Sequence, residues 1–248
     1  MFLLDIGNSR LKWATTNGDG LSAFGNYLYQ KSGLAGDLNR LWQSLPQPDQ
    51  VWISSVSDDA TGRQAEQWIL ENWKCKPRHA KVSPAACGVT NSYPDPARLG
   101  IDRWLALIAA WNKFRSAACI IDCGTAVTVD VLDSHGKHTG GLILPGISLM
   151  QKSVFNATAI KGTRHADADA VATLANNTEE AVIAGCRLAV AGLAERVSRD
   201  LQEQYDNSVY TVLTGGDAET IGKILAIDYI HEPHLVLEGL AVYAGEHS

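Results

Sequence analysis

An α/β fold built as two similar lobes is the architecture this sequence predicts, and three observations carry the prediction. A strand, a tight glycine turn and a second strand occur near the N-terminus, and the same unit recurs near mid-chain. Strand and helix segments alternate along the whole length, with no Ser/Pro-rich linker and no low-complexity tract. The 248 residues, 46% of them hydrophobic, suffice to bury a core without disulfide or metal staples.

Phe2-Leu-Leu-Asp5-Ile-Gly7-Asn8-Ser9 reads as a buried strand ending in a tight turn, and Arg10 to Thr16 then alternates polar and apolar residues up to Asn17-Gly18. Thr61 to Trp73 is a helix. Asp102 to Phe114 is another, whose Trp104, Leu105, Leu107, Ile108, Trp111 and Phe114 give one apolar stripe. Cys119-Ile-Ile-Asp122-Cys-Gly124-Thr125-Ala126, continued by Val127 to Leu132 and the turn Asp133-Ser-His-Gly136, repeats the first unit, with Asp122 in the place of Asp5 and Gly124 in that of Gly7. Leu142-Ile-Leu144 is a short strand bracketed by Gly140-Gly141 and Pro145-Gly146. Asn177-Thr178-Glu179-Glu180 has the pattern of a capping box and opens a helix to about Gln204. Tyr210 to Thr214 is a strand that runs into Gly215-Gly216-Asp217 and a helix from Ala218, and Leu235 to Tyr243 is the closing helix. The repeat sets the expected boundary: residues 1–117 form an N-terminal lobe and residues 118–248 a C-terminal one.

Composition narrows the function. With 27 acidic against 21 basic side chains and a formal charge of -6, the chain lacks the clustered basic excess of a nucleic-acid binder. Its five cysteines are odd in number and scattered, which fits reduced thiols in a cytosol. Cys119-x3-Cys123 lies inside an apolar run with no second pair, and His231-x2-His234 has Pro233 between its members, so neither reads as a zinc site. Residues 1–5 lack the basic start and apolar core of a signal peptide, and no uncharged apolar run reaches the roughly 18 residues of a membrane span. The expectation is a cytoplasmic, unanchored protein.

Two strand ends of the form Asp-x-Gly followed by Asn or Thr carry the chemistry. The glycine lets main-chain N–H groups approach phosphate oxygens, Asn8, Ser9 and Thr125 add donors, and the carboxylates can hold cations or their waters. One such end is ordinary turn chemistry. Two of them, with Thr214-Gly-Gly-Asp217 after a third strand, are what a nucleotide cleft between lobes requires. Lys161-Gly-Thr163-Arg164 lacks the glycine spacing of a P-loop, so that nucleotide fold is rejected. Asp167 and Asp169 read as a solvated loop.

This pattern resembles the actin-like (ribonuclease H-like) ATPase superfamily, in which two duplicated lobes close on ATP, and more narrowly the type III pantothenate kinases. The likeness rests on Asp5-Ile-Gly-Asn-Ser9, Asn91-Ser-Tyr93, Leu99-Gly-Ile-Asp102-Arg103-Trp104, Asp122-Cys-Gly-Thr125-Ala126 with Thr128 and Asp130, Gly140-Gly141-x-Ile143-x-Pro145-Gly146, Asn177-Thr178 and Thr214-Gly-Gly216. Gly-x-Asp-Arg before a Trp-containing helix is the discriminating block. Ser9 stands where many members have Thr and keeps the hydroxyl. The resemblance implies an ATP-dependent kinase that phosphorylates pantothenate to 4'-phosphopantothenate, the first step of coenzyme A biosynthesis. Carried over by position, it makes Asp5, Ile6, Gly7, Asn8, Ser9, Arg10, Leu11 and Lys12 the first phosphate loop and has Thr125 contact ATP from the second lobe. Asp102 is then the catalytic base, and Tyr93, Gly100, Ile101, Asp102, Arg103 and Thr178 line a pantothenate pocket that the family builds across a homodimer interface. Asp122 ligates K+ or NH4+, and Mg2+ accompanies ATP.

The residues by themselves leave three points open. Asp102 suits a helix N-terminus as a cap as well as a base. Arg103 either grips the substrate carboxylate or pairs with a neighbouring acid, and Lys12 faces either phosphate or solvent. Two rival functions remain: another actin-like phosphotransferase or phosphatase, and a non-catalytic regulatory accessory factor. The presence of Asp5, Asp102 and Asp122 together argues against the second.

Overall fold

A computed structural model describes residues 1–16, 20–29, 34–56, 59–158, 174–205 and 209–247. The expected Asn17-Gly18 turn and the stretch from Lys161 to Asp169 lie outside the described residues. The chain divides into two compact units, Met1–Lys113 with His234–Ser248, and Phe114–Pro233.

In the first unit β1 (Phe2–Ile6) turns at Gly7 into β2 (Arg10–Thr16) and β3 (Leu21–Leu28), α1 (Leu34–Trp42) crosses over to β4 (Val51–Ser55), and α2 (Asp59–Trp73) leads to β5 (Arg78–His79). The sheet order is β3-β2-β1-β4-β5, with β1 antiparallel to β2 and parallel to β4. Leu34, Leu38 and Trp42 recur every four residues on α1, and Ala65, Trp68, Ile69 and Trp73 fall at helical spacing on α2. These stripes meet Phe2, Leu4 and Ile6 of β1 in one core, where Trp42 stands edge-on to Phe2 at 5.4 Å and to Trp68 at 5.4 Å. A small hairpin of β6 (Ala85–Ala86) and β7 (Val89–Thr90) and a 3₁₀ turn at Pro96–Arg98 then lead into α3 (Ile101–Phe114). α3 is buried on every side from Arg103 to Ala110 and not along a single stripe.

The second unit repeats the first. β8 (Ala117–Cys123), β9 (Ala126–Leu132) and β10 (His138–Pro145) form a meander, α4 (Ile147–Ala157) and α5 (Thr178–Gln204) cross over to β11 (Val209–Thr214), and α6 (Ala218–Gly222) precedes β12 (Ile230–His231). Their order, β10-β9-β8-β11-β12, matches the first sheet strand for strand, again with one antiparallel and one parallel neighbour for the central strand. The Asn177 side chain accepts the Glu180 N–H at 3.0 Å, which is the cap the sequence predicts. Ile183, Cys186, Val190 and Ala194 descend one face of α5 onto Cys119, Ile121, Val127, Val129 and Leu213. β10 extends beyond the expected Leu142 to Leu144, because Gly140, at φ 138°, carries the strand through a register shift.

α7 (Leu235–Glu246) packs on β1, β2 and β4 of the first unit. Its Tyr243 meets Trp52 edge-on at 5.9 Å, and its Gly239 lies against the main chain of Leu105 so closely that no Cβ fits. That contact explains why α3 is buried beyond one stripe. His231 ends β12, while His234 stacks on Phe24 at 3.8 Å. Among the described residues no helix is long and apolar enough to cross a membrane.

Candidate active site

β1 ends in Asp5-Ile6-Gly7, and its register pairs Asp5 with Lys12 on β2 and with Ser54 on β4. Side chains alternate along a strand, so these three share the face opposite Ile6, Leu11 and Trp13, which point into the tryptophan-rich core. Asp5 is only 7% exposed, and Ser54 Oγ donates to its Oδ1 at 3.1 Å, part of the compensation that a buried carboxylate requires. The turn beyond it is held from two sides: the Gly7 N–H donates to the Arg10 carbonyl at 3.0 Å, and Tyr29 Oη donates to the Gly7 carbonyl at 2.7 Å. Arg10 extends to Asn26 Oδ1 on β3 at 3.2 Å. The side chains of Ile6 and Leu11 are core residues, so a ligand at this turn meets their main chain alone. Asn8 and Ser9 form its apex.

Leu99-Gly100-Ile101-Asp102-Arg103 opens α3. Asp102 Oδ1 accepts the Arg103 N–H at 2.8 Å, satisfying one of the donors a helix start leaves open and placing an anion at the positive end of the helix. Gly100 lies under that carboxylate: a Cβ there would stand 2.6 Å from Asp102 Oδ1. Arg103 is 7% exposed, its Nη1 donates to Tyr93 Oη at 3.0 Å, and its guanidinium carbon lies 5.8 Å from the Tyr93 ring centre. Of the expected pocket residues, Tyr93, Gly100, Ile101, Asp102 and Arg103 are therefore one local group.

In the second unit Asp122 occupies the position of Asp5, paired with Thr128 on β9 and Thr214 on β11. The Gly124 N–H donates to the Ala126 carbonyl at 3.1 Å, so this turn is one residue shorter than the Gly7 to Arg10 turn. Two glycines crowd it. Gly215, at φ 96°, sets its main chain against the Asp122 carboxylate and Cys123, and Gly146 does the same against the carbonyls of Gly124 and Thr125, donating its N–H to Thr125 at 3.0 Å. Burial first, then the charges of Asp122 and Asp217, pushes the Cys123 thiol up to about 12. Thr125 is exposed, and Thr178 is the exposed first residue of α5, away from the Asp122 turn in sequence and element. Among the described residues no group of three or more His, Cys, Asp or Glu is placed to hold a metal ion.

Sequence reasoning passed over Ser54 and Tyr29. A signal for Ser54 exists: Val51-Trp-Ile-Ser54 and Thr211-Val-Leu-Thr214 are corresponding strands, each bringing a hydroxyl into register with the acid. Tyr29 sits beyond an exposed edge strand, where no pattern points to a partner distant in sequence.

The chain matches the family model of type III pantothenate kinases over residues 1–200. It is 37% identical to a type III pantothenate kinase of Nitrosococcus oceani, covering 100% of this chain and 95% of the relative, and 39% identical to one of Burkholderia thailandensis, covering 98% and 96%. Among solved structures it resembles a Campylobacter jejuni protein provisionally named a Baf family transcriptional activator, with a TM-score of 0.63, 20% identity and coverage of 100% and 98%. It also resembles Lmo2764 of Listeria monocytogenes, provisionally named an N-acetylmannosamine kinase, with a TM-score of 0.51, 12% identity and coverage of 100% and 99%. At such identities the structural likeness speaks for the fold alone, a duplicated α/β architecture of the actin-like and sugar-kinase kind. The family model and the full-length relatives decide the rest: the chain belongs to the type III pantothenate kinase family.

Proposed function

We propose how this chain's residues divide the work of ATP-dependent phosphorylation of pantothenate to 4'-phosphopantothenate, the first step of coenzyme A biosynthesis. The observation that carries the reading is the local group at the start of α3, where Asp102 adjoins a buried, tyrosine-bound Arg103. Pantothenate has a carboxylate at one end and a primary hydroxyl at the other, and this group offers a guanidinium for the first and a carboxylate for the second. Arg103, backed by Tyr93, grips the substrate carboxylate. Asp102 orients the hydroxyl and accepts its proton as the hydroxyl oxygen bonds to the γ-phosphorus and the bond from that phosphorus to the β,γ-bridging oxygen breaks, releasing ADP. Asn8 and Ser9 at the first turn and Thr125 at the second offer N–H and O–H donors to the phosphates, with Lys12 on the face of Asp5.

Mg2+ accompanies the ATP phosphates and neutralises their charge. The donor set around Asp122 fits K+ or NH4+: a carboxylate, the hydroxyl residues Thr128 and Thr214 in register, and nearby main-chain oxygen. The two repeats differ here in a way that supports the assignment. Asp5 has a lysine as its antiparallel cross-strand partner, whereas the corresponding partner of Asp122 is an uncharged threonine. Thr178, exposed at the start of α5, belongs in this reading to the pocket of a second copy of the chain, so the working enzyme is a homodimer.

The deciding experiment follows ADP release from MgATP with and without pantothenate, in K+ and in Na+. Turnover that needs both pantothenate and K+ is expected, and Asp102→Asn should keep the fold and lower kcat by roughly 10²–10⁴. ATP consumption without pantothenate would overturn the substrate, equal rates in K+ and Na+ would overturn the cation site, and wild-type turnover by Asp102→Asn would overturn the base.

A further inference from the structure

The Tyr93 and Arg103 side chains are ten positions apart on a segment whose only regular structure before α3 is one 3₁₀ turn, yet their hydrogen bond is 3.0 Å long and Arg103 is buried. Something must fix the Tyr93 main chain before its ring can back a guanidinium, and the contacts of Asn91 supply it. The Asn91 N–H donates to the Pro84 carbonyl at 2.9 Å, which ties the residue to the start of the β6–β7 hairpin. Its side-chain Oδ1 accepts the Tyr93 N–H at 2.9 Å, closing a turn in which an Asn side chain replaces a main-chain carbonyl. Its Nδ2 reaches the Pro96 carbonyl at 3.5 Å, a long bond, at the first residue of the 3₁₀ turn that leads through Leu99 to Gly100. Asp95 caps the same turn by accepting the Ala97 N–H at 3.2 Å. One short side chain thus spans the loop from the tyrosine to the approach of α3.

We infer that Asn91 is a positioning residue for the acceptor substrate: it presets Tyr93 against Arg103, so that the guanidinium meets the pantothenate carboxylate already oriented. The inference rests on the reading of Tyr93 and Arg103 as pantothenate contacts. Asn91 itself touches neither substrate. Losing it costs acceptor binding, because Tyr93 must then be ordered at the moment of binding, and leaves ATP binding alone.

The test measures KM for pantothenate, KM for ATP, kcat and the thermal midpoint for wild type, Asn91→Ala, Asn91→Ser and Tyr93→Phe. Asn91→Ala should raise the pantothenate KM about fivefold, the scale of one neutral hydrogen bond, and leave the ATP KM within about twofold. Serine keeps a weaker acceptor for the Tyr93 N–H, so Asn91→Ser should recover part of the loss. Tyr93→Phe, which removes the hydroxyl that receives Arg103, should also raise the pantothenate KM. If Tyr93→Phe raises it and Asn91→Ala does not, the positioning role is wrong while the pocket reading stands. If Tyr93→Phe has no effect, the pocket reading fails and takes the inference with it. Parallel increases in both KM values with a lowered thermal midpoint in Asn91→Ala and Asn91→Ser alike would assign the residue to general stability and overturn the inference.

Discussion

Gly100 shows how a residue with no functional group can govern one that has it. Its missing Cβ leaves room for the Asp102 carboxylate, which a methyl group would approach to 2.6 Å. The atom that must yield is the end of a flexible side chain, so Gly100→Ala should fold with a thermal midpoint close to wild type. The displaced carboxylate should nevertheless lower kcat by roughly 10²-fold, as small misplacements of reacting groups do. A folded Gly100→Ala enzyme with normal kcat would show that the orientation of Asp102 is immaterial. The buried thiols make a second prediction. Burial, its first cause, pushes both Cys119 and Cys123 up from 9.0 to about 12. The folded state therefore holds these protons more tightly than the unfolded chain, and the stability that follows is complete below pH 9 and lost as pH rises towards 12. Urea midpoints should fall over that window, and less steeply in the Cys119→Ala, Cys123→Ala double variant; equal slopes would contradict the buried neutral thiols. At this scale the strand-end places of Asp5 and Asp122 and the helix-start place of Asp102 were legible from turn and cap chemistry, whereas the roles proposed for them came from the family resemblance. Lys12 was not legible, because alternation says which residues share a face, while only the register with Asp5 says which face that is.

The elements legible in the sequence all have a buried face: β1, β2, β8, β9 and β11 among the strands, and α2, α3, α5 and α7 among the helices; α1 and β4 went unread although Leu34, Leu38 and Trp42 of the one and Val51 and Ile53 of the other are core residues. β3 went unread because Leu-Ser-Ala-Phe-Gly-Asn-Tyr-Leu is an exposed edge with no core side to alternate against. α4 buries Ile147 alone, so it lacks the stripe that identifies a helix, and β5, β6, β7 and β12 are two residues each, too short for any period. α7 tests how an element holds its neighbours. Its Gly239 touches the main chain of Leu105, whereas a Cβ at Gly245, on the same helix, would have nothing within 4 Å. Gly239→Ala should therefore force α7 off α3 and cost about 2 kcal/mol or more, while Gly245→Ala should stabilise by about 0.5 kcal/mol through helix propensity. Urea unfolding of the two variants should move in opposite directions, and a neutral Gly239→Ala would mean that α3 and α7 tolerate separation.

The duplication was legible because two stretches of sequence agreed in element order as well as in letters, and the matching strand orders repeat that agreement in three dimensions. Which sheet the last helix covers was not legible, since its apolar pattern is satisfied by any buried face; it joins the first unit from the far end of the chain. On the proposed reading, the same duplication gives the two equivalent acids different roles. Because Asp5 faces Lys12 and Asp122 faces Thr128, Asp122→Asn should raise the K+ concentration needed for half-maximal activity far more than Asp5→Asn does. Equal shifts would place the cation elsewhere. The tryptophan-rich core has one further consequence, for anyone who follows this protein with light. All seven tryptophans lie in the first unit, and the second has none. Emission excited at the red edge of indole absorption is thus a private readout of one repeat, while far-ultraviolet circular dichroism averages both. A tryptophan introduced beside the Asp122 turn would give the second repeat its own voice, in which a titration of K+ could be followed.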